Sequence, residues 1–142
     1  DIALLRKCIC FGPCLKLCLL SLLLSLNIQL LANPEDCISL IGPSISKERF
    51  EIGDEVYDMF KNEKFNMKDI ASLFPIANNP GKHKWHIDLW AANKLQLIGT
   101  GIKESNIEIA GICTYDNADT YFSARKLGVS SGRIITGIMI TK

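Results

Sequence analysis

The segment at residues 134–140, I-I-T-G-I-M-I, constrains the fold most strongly, because a strand drawn through it is apolar on both faces. A strand with one solvated face alternates apolar and polar residues, whereas a strand buried on both faces reads as a nearly continuous apolar run. We therefore expect residues 134–140 to form an interior strand of a sheet that is covered on both sides.

Two earlier stretches also have strand character. Residues 37–41 form a short apolar run that ends at Gly42-Pro43, where proline fixes φ and removes a backbone donor. At residues 107–109 two isoleucines alternate with a glutamate, which is typical of a strand with one buried face.

The region that follows the first strand is predicted to be helical and then irregular. Asp54 is expected to cap a helix that continues to about Lys61. Residues 66–70 are expected to make one helical turn, and the sequence N-N-P-G at residues 78–81 is expected to form a turn.

A stronger helix is predicted at residues 89–98. Asp88 stands at its start as a capping residue, and Gly99 or Gly101 is expected to end it. Three residues are expected to form its apolar face: Ala91, Leu95 and Ile98.

The alternation of strands and helices predicts an α+β fold, with a layered α/β arrangement in which helices flank a mixed sheet. The 142 residues are enough for one domain with a sizeable core, and 48% hydrophobic with 22% charged residues argues against disorder. A formal net charge of +1 gives no electrostatic reason to expect nucleic acid as a partner.

Residues 1–32 differ from the domain expected at residues 33–142. Their leucine-rich run at residues 15–31 is apolar on every face of a helix. One explanation is divergent or non-native sequence, for example after a reading-frame error. Another is a signal peptide or anchor, since basic residues accompany the run, although it falls short of the roughly 20 apolar residues that span a membrane. A cysteine metal cluster is the third, and the Gly12-Pro13 break argues against it. A membrane partner is expected only if this segment is a genuine signal or anchor.

Cysteine usage favours a reducing compartment. Four of the six cysteines lie in residues 1–32, and the other two, Cys37 and Cys113, lie on predicted strands. A buried free cysteine behaves as a small hydrophobic residue, and structural disulfides are rare in the cytosol. We expect Cys37 and Cys113 to be unpaired and the protein to be cytoplasmic.

Several sequence blocks occur in the same order as in a known bacterial family. They are N-P-E-D-C-I-S-L-I-G-P-S-I at residues 33–45, F-E-I-G-D-E-V at 50–56, D-L-W-A-A-N-K-L-Q-L at 88–97, C-T-Y at 113–115, and Y-F-S-A-R-K-L-G at 121–128 followed by S-G-R at 131–133. Together they resemble the laccase-domain family, which is also called polyphenol-oxidase-like or peptidoglycan-editing factor. Lys126 stands where the family has a second arginine.

The resemblance implies a zinc-dependent purine nucleoside phosphorylase that acts on adenosine, inosine and methylthioadenosine and also deaminates adenosine. Its partners would be a purine nucleoside and phosphate, and zinc is a better expectation than copper. Two alternatives stay open: a polyphenol oxidoreductase or peptidoglycan-editing hydrolase, and a non-catalytic or membrane-tethered fragment.

The family's metal site has no counterpart in this sequence. The resemblance implies a His-Cys-His zinc site before the I-G-P-S-I block, with the second His in an H-x-G-W-x-G motif. The first histidine here is His83, and both tryptophans lie downstream of that block. We interpret residues 33–142 as the C-terminal part of the family domain, inactive alone and without catalytic or metal-binding residues of its own.

Three residues are predicted to bind substrate: Arg125, Ser123 and Ser44. Arginine suits bidentate recognition of phosphate, and a rigid turn before a buried strand can present such groups in a fixed geometry. Ser44 follows a predicted strand, at the end where open α/β sheets place ligands. The alternative for Arg125 is structural, as a side chain that ties its loop to the sheet through backbone carbonyls.

The histidines are expected to have no such role. His83 and His86 stand three residues apart in what reads as an extended entry to the helix at residues 89–98. Their rings need not converge at this spacing, and we expect a solvated loop with one ring packed near Trp85.

Overall fold

The computed structural model describes residues 33–77 and 79–132. Residues 1–32 and the interior strand predicted at residues 134–140 lie outside these ranges. The described residues form strands β1 (Ser39–Ile41), β2 (Glu51–Ile52), β3 (Ala71–Ile76), β4 (Asn79–Ile87) and β5 (Ile107–Ile109), and helices α1 (Asp54–Asn62), α2 (Met67–Ile70), α3 (Leu89–Gly99) and α4 (Ala124–Leu127). No helix within these ranges has the length and apolar character that crossing a membrane requires.

The strands form two sheets of different type. β1 and β5 pair in parallel, with Ser39 opposite Ile107 and Ile41 opposite Ile109. The other sheet is antiparallel, and its strand order is β2-β4-β3. Parallel strands need a long crossover, and the segment from β2 to α3 supplies it. The predicted α+β class, with sheets flanked by helices, is confirmed.

The β3–β4 hairpin is absent from the sequence prediction. Ile76 pairs with Asn79, so the chain reverses between these two residues. The turn predicted at residues 78–81 is therefore wrong for residues 79–81, which lie in β4. Proline and glycine mark a turn by local statistics, but here they lie in β4. β3 is an edge strand, which is where a sheet tolerates Pro75.

Helices α1 and α2 fall where they were predicted. α1 ends one residue beyond the expected Lys61, but its cap is Gly53, whose carbonyl accepts from the amides of Val56 and Tyr57. The prediction of Asp54 as the cap is therefore wrong, since Asp54 already has helical geometry in the first turn. A carboxylate there still interacts favourably with the helix dipole. α2 confirms the single helical turn predicted at residues 66–70.

Helix α3 confirms the predicted start, and its end is one residue from the predicted one. Asp88 is its cap, and its Oδ1 accepts from the Ala91 amide at 2.9 Å. Gly101 follows the end of the helix with a φ of +94°, a conformation that favours glycine.

The apolar face predicted for α3 is wrong. Leu95 and Ile98 are 39% and 38% exposed, whereas the buried residues are Leu89, Ala92, Asn93 and Leu97. Because the helix carries apolar residues on more than one side, periodicity alone could not select the side that faces the sheets.

The core consists of two hydrophobic clusters that share α3. The first contains Cys37, Ile41, Leu97 and Ile102, beside the parallel sheet. The second, beside the antiparallel sheet, contains Ile45, Ile52, Ile70, Ile87, Leu89 and Ala92. α3 therefore fixes the two sheets relative to each other, since its first turn packs in one cluster and its last turn in the other.

Loss of the α3 cap should have a measurable cost. We expect Asp88→Ala to lower the free energy of unfolding by about 1 kcal/mol, because an N-terminal amide loses its acceptor. Urea denaturation followed by circular dichroism measures this change. Asp88→Asn keeps an acceptor and serves as the control; an equal loss in both variants would contradict the capping role.

Candidate substrate-binding surface

Ser44 lies where the parallel pairing of β1 and β5 continues beyond the regular strands. It forms an isolated parallel bridge with Cys113. Its amide donates to the Ile112 carbonyl at 3.1 Å, and its carbonyl accepts from the Thr114 amide at 3.0 Å. Its hydroxyl oxygen is buried and has no hydrogen-bond partner in the part of the chain that the structure describes.

Ser123 is the buried first residue of the turn that carries Arg125. It precedes α4, and its carbonyl accepts from the amides of Lys126 and Leu127 at 3.1 and 2.8 Å. Its side chain makes no capping hydrogen bond to the helix. Gly128 ends the turn with a φ of +82°. The buried Ser123 therefore fixes a short turn whose other residues, including Arg125, are exposed.

Arg125 contacts the residues around β2. Its Nη1 donates to the Glu51 carbonyl at 3.0 Å, and its guanidinium lies 5.4 Å from the centre of the Phe50 ring. These contacts match the structural alternative, in which the side chain ties its loop to a sheet. A guanidinium has five N–H donors, so one bond to a carbonyl is compatible with a second role.

The ring of Tyr115 contacts two cations. The Arg49 guanidinium is 5.3 Å and the Lys126 ammonium 5.5 Å from the centre of its ring. Asp116 holds Arg49 through a 2.8 Å bond to Nε. Cations over an aromatic face are attracted by its negative potential. Sequence reasoning missed this group, because Arg49 and Tyr115 are far apart in sequence and the C-T-Y block that contains Tyr115 does not indicate a contact with Arg49.

The predicted site residues thus belong to one region of the surface without touching each other. Ser44 bonds to the backbone around Cys113, Tyr115 follows directly, and its ring contacts Lys126 beside Arg125. None of the hydrogen bonds described above joins Ser44 to Ser123 or Arg125. We call the residues Ser44, Arg49, Tyr115, Ser123, Arg125 and Lys126 the basic surface. It presents three cations, of which Arg49 is paired with Asp116. The Ser44 hydroxyl and Ser123 are buried beside them. The exposed cations are suited to an anion.

Comparison with known proteins identifies the family. The family described as multi-copper polyphenol oxidoreductase laccase matches residues 20–141, which is most of the chain. The chain belongs to this family.

Relatives within the laccase family carry the names of purine enzymes. The chain is 48% identical over 108 residues to a purine nucleoside phosphorylase of Bacteroides thetaiotaomicron, a match that covers 76% of this chain and 38% of that protein. It is 44% identical over 98 residues to adenosine deaminase RL5 from an unknown prokaryotic organism, covering 69% of this chain and 36% of the relative. The chain therefore spans well under half the length of these two relatives.

A solved structure supports the fold. The Bacillus licheniformis hypothetical protein YfiH superposes with a TM-score of 0.65 at 24% sequence identity, covering 81% of this chain and 41% of that one. At this identity the likeness concerns the fold alone.

The laccase family implies a metal, and the described residues do not fit one. They contain no group of three or more His, Cys, Asp or Glu side chains that could hold a metal ion. His86 is buried in β4, where its Nδ1 lies 2.8 Å from the Lys47 carbonyl and its ring 4.5 Å from that of Phe74. The predicted solvated loop is therefore wrong for His86, since strand pairing turns its ring inward, while His83 is exposed on the same strand.

The two described cysteines are buried and free, as predicted. Burial, and to a lesser degree the neighbouring Asp36 carboxylate, raises the pKa of the Cys37 thiol. The Cys113 sulfur accepts from the Ser46 amide at 3.4 Å. Both side chains behave as small core residues, and a raised pKa makes Cys37 a poor nucleophile.

Proposed function

We propose that this chain supplies the substrate-binding side of a zinc-dependent purine nucleoside phosphorylase that also deaminates adenosine. The observation that carries the proposal is the 48% identity to the Bacteroides protein of that name. Because the chain spans 38% of that relative, the activity belongs to the complete domain, and the chain alone is proposed to be inactive.

Arg125 is proposed to hold phosphate. Phosphorolysis breaks the C1′–N9 bond of the nucleoside and forms a bond from a phosphate oxygen to C1′, while the base leaves and takes a proton. The attacking phosphate is an anion, and a planar guanidinium can bind two of its oxygens at once. The bond to the Glu51 carbonyl orients Arg125, and the Lys126 ammonium adds positive charge on the same turn.

The two serines are proposed to have different roles: Ser123 positions Arg125, and Ser44 binds the nucleoside. Ser123 is buried at the start of the turn and sets the position of Arg125 two residues later. Among the described residues the Ser44 hydroxyl has no hydrogen-bond partner, and an unsatisfied buried hydroxyl gains a hydrogen bond when a ligand reaches it. Because this oxygen is covered from solvent, a nucleoside could contact it only if the loop that follows β1 moved.

Zinc would have to be held by other residues than those described. The described part of the chain lacks a suitable cluster, so no step of the reaction is assigned to a metal here. Adenosine, inosine and methylthioadenosine share a purine joined at N9 to C1′ of a ribose-type sugar, and any of them suits the proposal. A cytoplasmic location is proposed because Cys37 and Cys113 are free and buried.

An activity assay tests the proposal directly. We expect the purified 142-residue chain to release no adenine from adenosine with zinc and phosphate. A chimera in which residues 33–142 replace the matching stretch of the Bacteroides relative should release adenine and ribose 1-phosphate. Chromatography of the products measures both. Turnover by the chain alone would contradict the claim that the metal ligands lie elsewhere, and an inactive, folded chimera would contradict the proposed function.

Polyphenol oxidation is the second candidate, because the matching family is described as a polyphenol oxidoreductase. Oxygen uptake by the copper-loaded chimera with a phenolic substrate, in the absence of phosphate and nucleoside, would favour this activity. Inosine formed from adenosine without phosphate would instead report the deaminase.

A further inference from the structure

The three cations of the basic surface are each held against an aromatic ring. The Lys126 ammonium and the Arg49 guanidinium lie 5.5 and 5.3 Å from the centre of the Tyr115 ring. The Arg125 guanidinium lies 5.4 Å from the centre of the Phe50 ring. The negative potential over a ring face attracts a cation. The two rings therefore restrict where these long side chains place their charge.

Both rings are fixed by the protein interior. Tyr115 and Phe50 are half-buried and pack against the hydrophobic cluster beside the antiparallel sheet. The backbone around Tyr115 is held in a turn, since the Cys113 carbonyl accepts from the amide and from the side chain of Asn117, at 3.1 and 2.8 Å. The Phe50 carbonyl accepts from the Ile87 amide at 3.3 Å. A cation on either ring is therefore positioned by the core as well as by its own loop.

The two cations on Tyr115 differ in how their charge is balanced. The Asp116 carboxylate accepts from Arg49 Nε at 2.8 Å and offsets the charge of that guanidinium. Within residues 33–77 and 79–132, neither Lys126 nor Arg125 forms an ion pair with a carboxylate. The charges of Lys126 and Arg125 are therefore the ones available to an anionic ligand.

Lys126 and Arg125 are adjacent in sequence, but a helical turn alone does not bring their charges together. Side chains at positions i and i+1 of a helix do not face each other, and these two residues occupy such positions in α4. Their aromatic contacts bring both of them to residues 49–50. Phe50 contacts Arg125, and the preceding residue, Arg49, lies on the same ring as Lys126.

We propose that Tyr115 is a positioning residue of the phosphate site, and that its ring holds the Lys126 ammonium beside Arg125 so that two cations bind one phosphate. This inference rests on the proposed function, in which Arg125 binds phosphate. Phosphate carries more than one negative charge near neutral pH, so a single guanidinium does not neutralise it. The ammonium of lysine stands on a flexible four-carbon stem, and holding it in place beforehand reduces the entropy that is lost on binding.

Phosphate binding by the 142-residue chain tests this role without any turnover. Titration with inorganic phosphate, followed by NMR spectra of the amides and of the lysine side chains, gives the dissociation constant. Tyr115→Leu should weaken binding about two- to fivefold, because the contact between cation and ring is lost. Tyr115→Phe keeps the ring and should bind phosphate as tightly as the unchanged chain. Circular dichroism checks that both variants remain folded.

A double-mutant cycle shows whether the ring acts through Lys126. Lys126→Met removes the ammonium from an exposed position and should weaken phosphate binding at least as much as Tyr115→Leu does. Adding Tyr115→Leu to Lys126→Met should then have almost no further effect, since the ring has no ammonium left to hold. Fully additive losses would overturn the positioning role.

Two further lysine variants are the controls for this cycle. Lys126→Arg keeps a cation that can lie on the Tyr115 ring, so it should bind phosphate about as tightly as the unchanged chain. Lys61→Met removes an exposed ammonium from α1 and should have almost no effect. An effect of Lys61→Met as large as that of Lys126→Met would show that net charge alone governs binding, which would overturn the proposal.

The active chimera separates phosphate positioning from damage to the whole site. Tyr115→Leu should raise the KM for phosphate about two- to fivefold and leave kcat at saturating phosphate nearly unchanged, because only binding is weakened. Deamination of adenosine consumes no phosphate, so its rate should not change. Equal losses of phosphorolysis and deamination would assign Tyr115 a structural role and overturn the proposal.

Failure of this inference and failure of the proposed function give different results. An inactive chimera, together with phosphate binding by the chain that depends on the Tyr115 ring, would remove the phosphorylase and leave the role of Tyr115 intact. An active chimera whose KM for phosphate is unchanged by Tyr115→Leu would leave the phosphorylase and remove that role. A folded chain without saturable phosphate binding would also overturn the inference.

Discussion

Replacing Ile87 by alanine is expected to lower the free energy of unfolding by about 2–5 kcal/mol, because it would leave a cavity in the core. Ile87 is fully buried at the end of β4 and belongs to the cluster that joins the antiparallel sheet to α3. Its amide bonds to the Phe50 carbonyl, and Asp88, the cap of α3, follows it directly. The substitution would leave a cavity where β4, α3 and the basic surface meet.

Urea denaturation measures this loss. Folded domains are stable by only about 5–15 kcal/mol, so Ile87→Val, expected to cost about 0.5–1.5 kcal/mol, gives a folded variant for comparison. Leu73→Ala is the matched control, because Leu73 is 52% exposed on β3. Equal losses for Ile87→Ala and Leu73→Ala would show that the described core is wrong.

In the active chimera, Arg125→Ala is expected to reduce phosphorolysis at least tenfold, equivalent to about 1.4 kcal/mol of transition-state stabilisation. The reason is the proposed loss of a guanidinium that holds the attacking phosphate. The melting temperature should barely change, because the side chain is exposed and its bond to the Glu51 carbonyl lies at the surface.

Two further measurements distinguish a phosphate-binding role of Arg125 from a purely structural one. If Arg125 binds phosphate, the KM for phosphate should rise more than the KM for adenosine. Lys94→Ala is the control, since it removes a cation of α3 whose ion pair with Glu104 lies outside the basic surface. Parallel losses of stability and turnover in Arg125→Ala would instead assign it a structural role.

Local signals predicted the elements that depend on local chemistry. The start of α3 could be predicted from Asp88, whose carboxylate accepts a hydrogen bond from the amide three residues later. The end of the helix could be predicted from the glycines there, of which Gly101 has a positive φ. α2 follows from Asn66 for the same reason. The strands at residues 39–41 and 107–109 were readable because short apolar or alternating runs suffice to indicate them.

Features set by distant residues could not be predicted in this way. The hairpin of β3 and β4 includes Pro75, Pro80 and Gly81, which locally favour a turn. Six cross-strand pairs, with a register shift after Pro75, override that preference. His86 is buried because Phe74 and the Lys47 carbonyl meet its ring, and neither is near it in sequence. Arg49 and Tyr115 likewise come together only through the fold.

The sequence by itself determined the family, the fold class and the identity of Ser44, Ser123 and Arg125 as candidates, because motifs, capping residues and apolar periods are local or ordered along the chain. The tertiary structure decided which face of α3 is buried and which side chains surround Arg125. These depend on contacts between residues that are far apart in sequence, and the free energy of burial is set by what each surface packs against rather than by the segment that carries it.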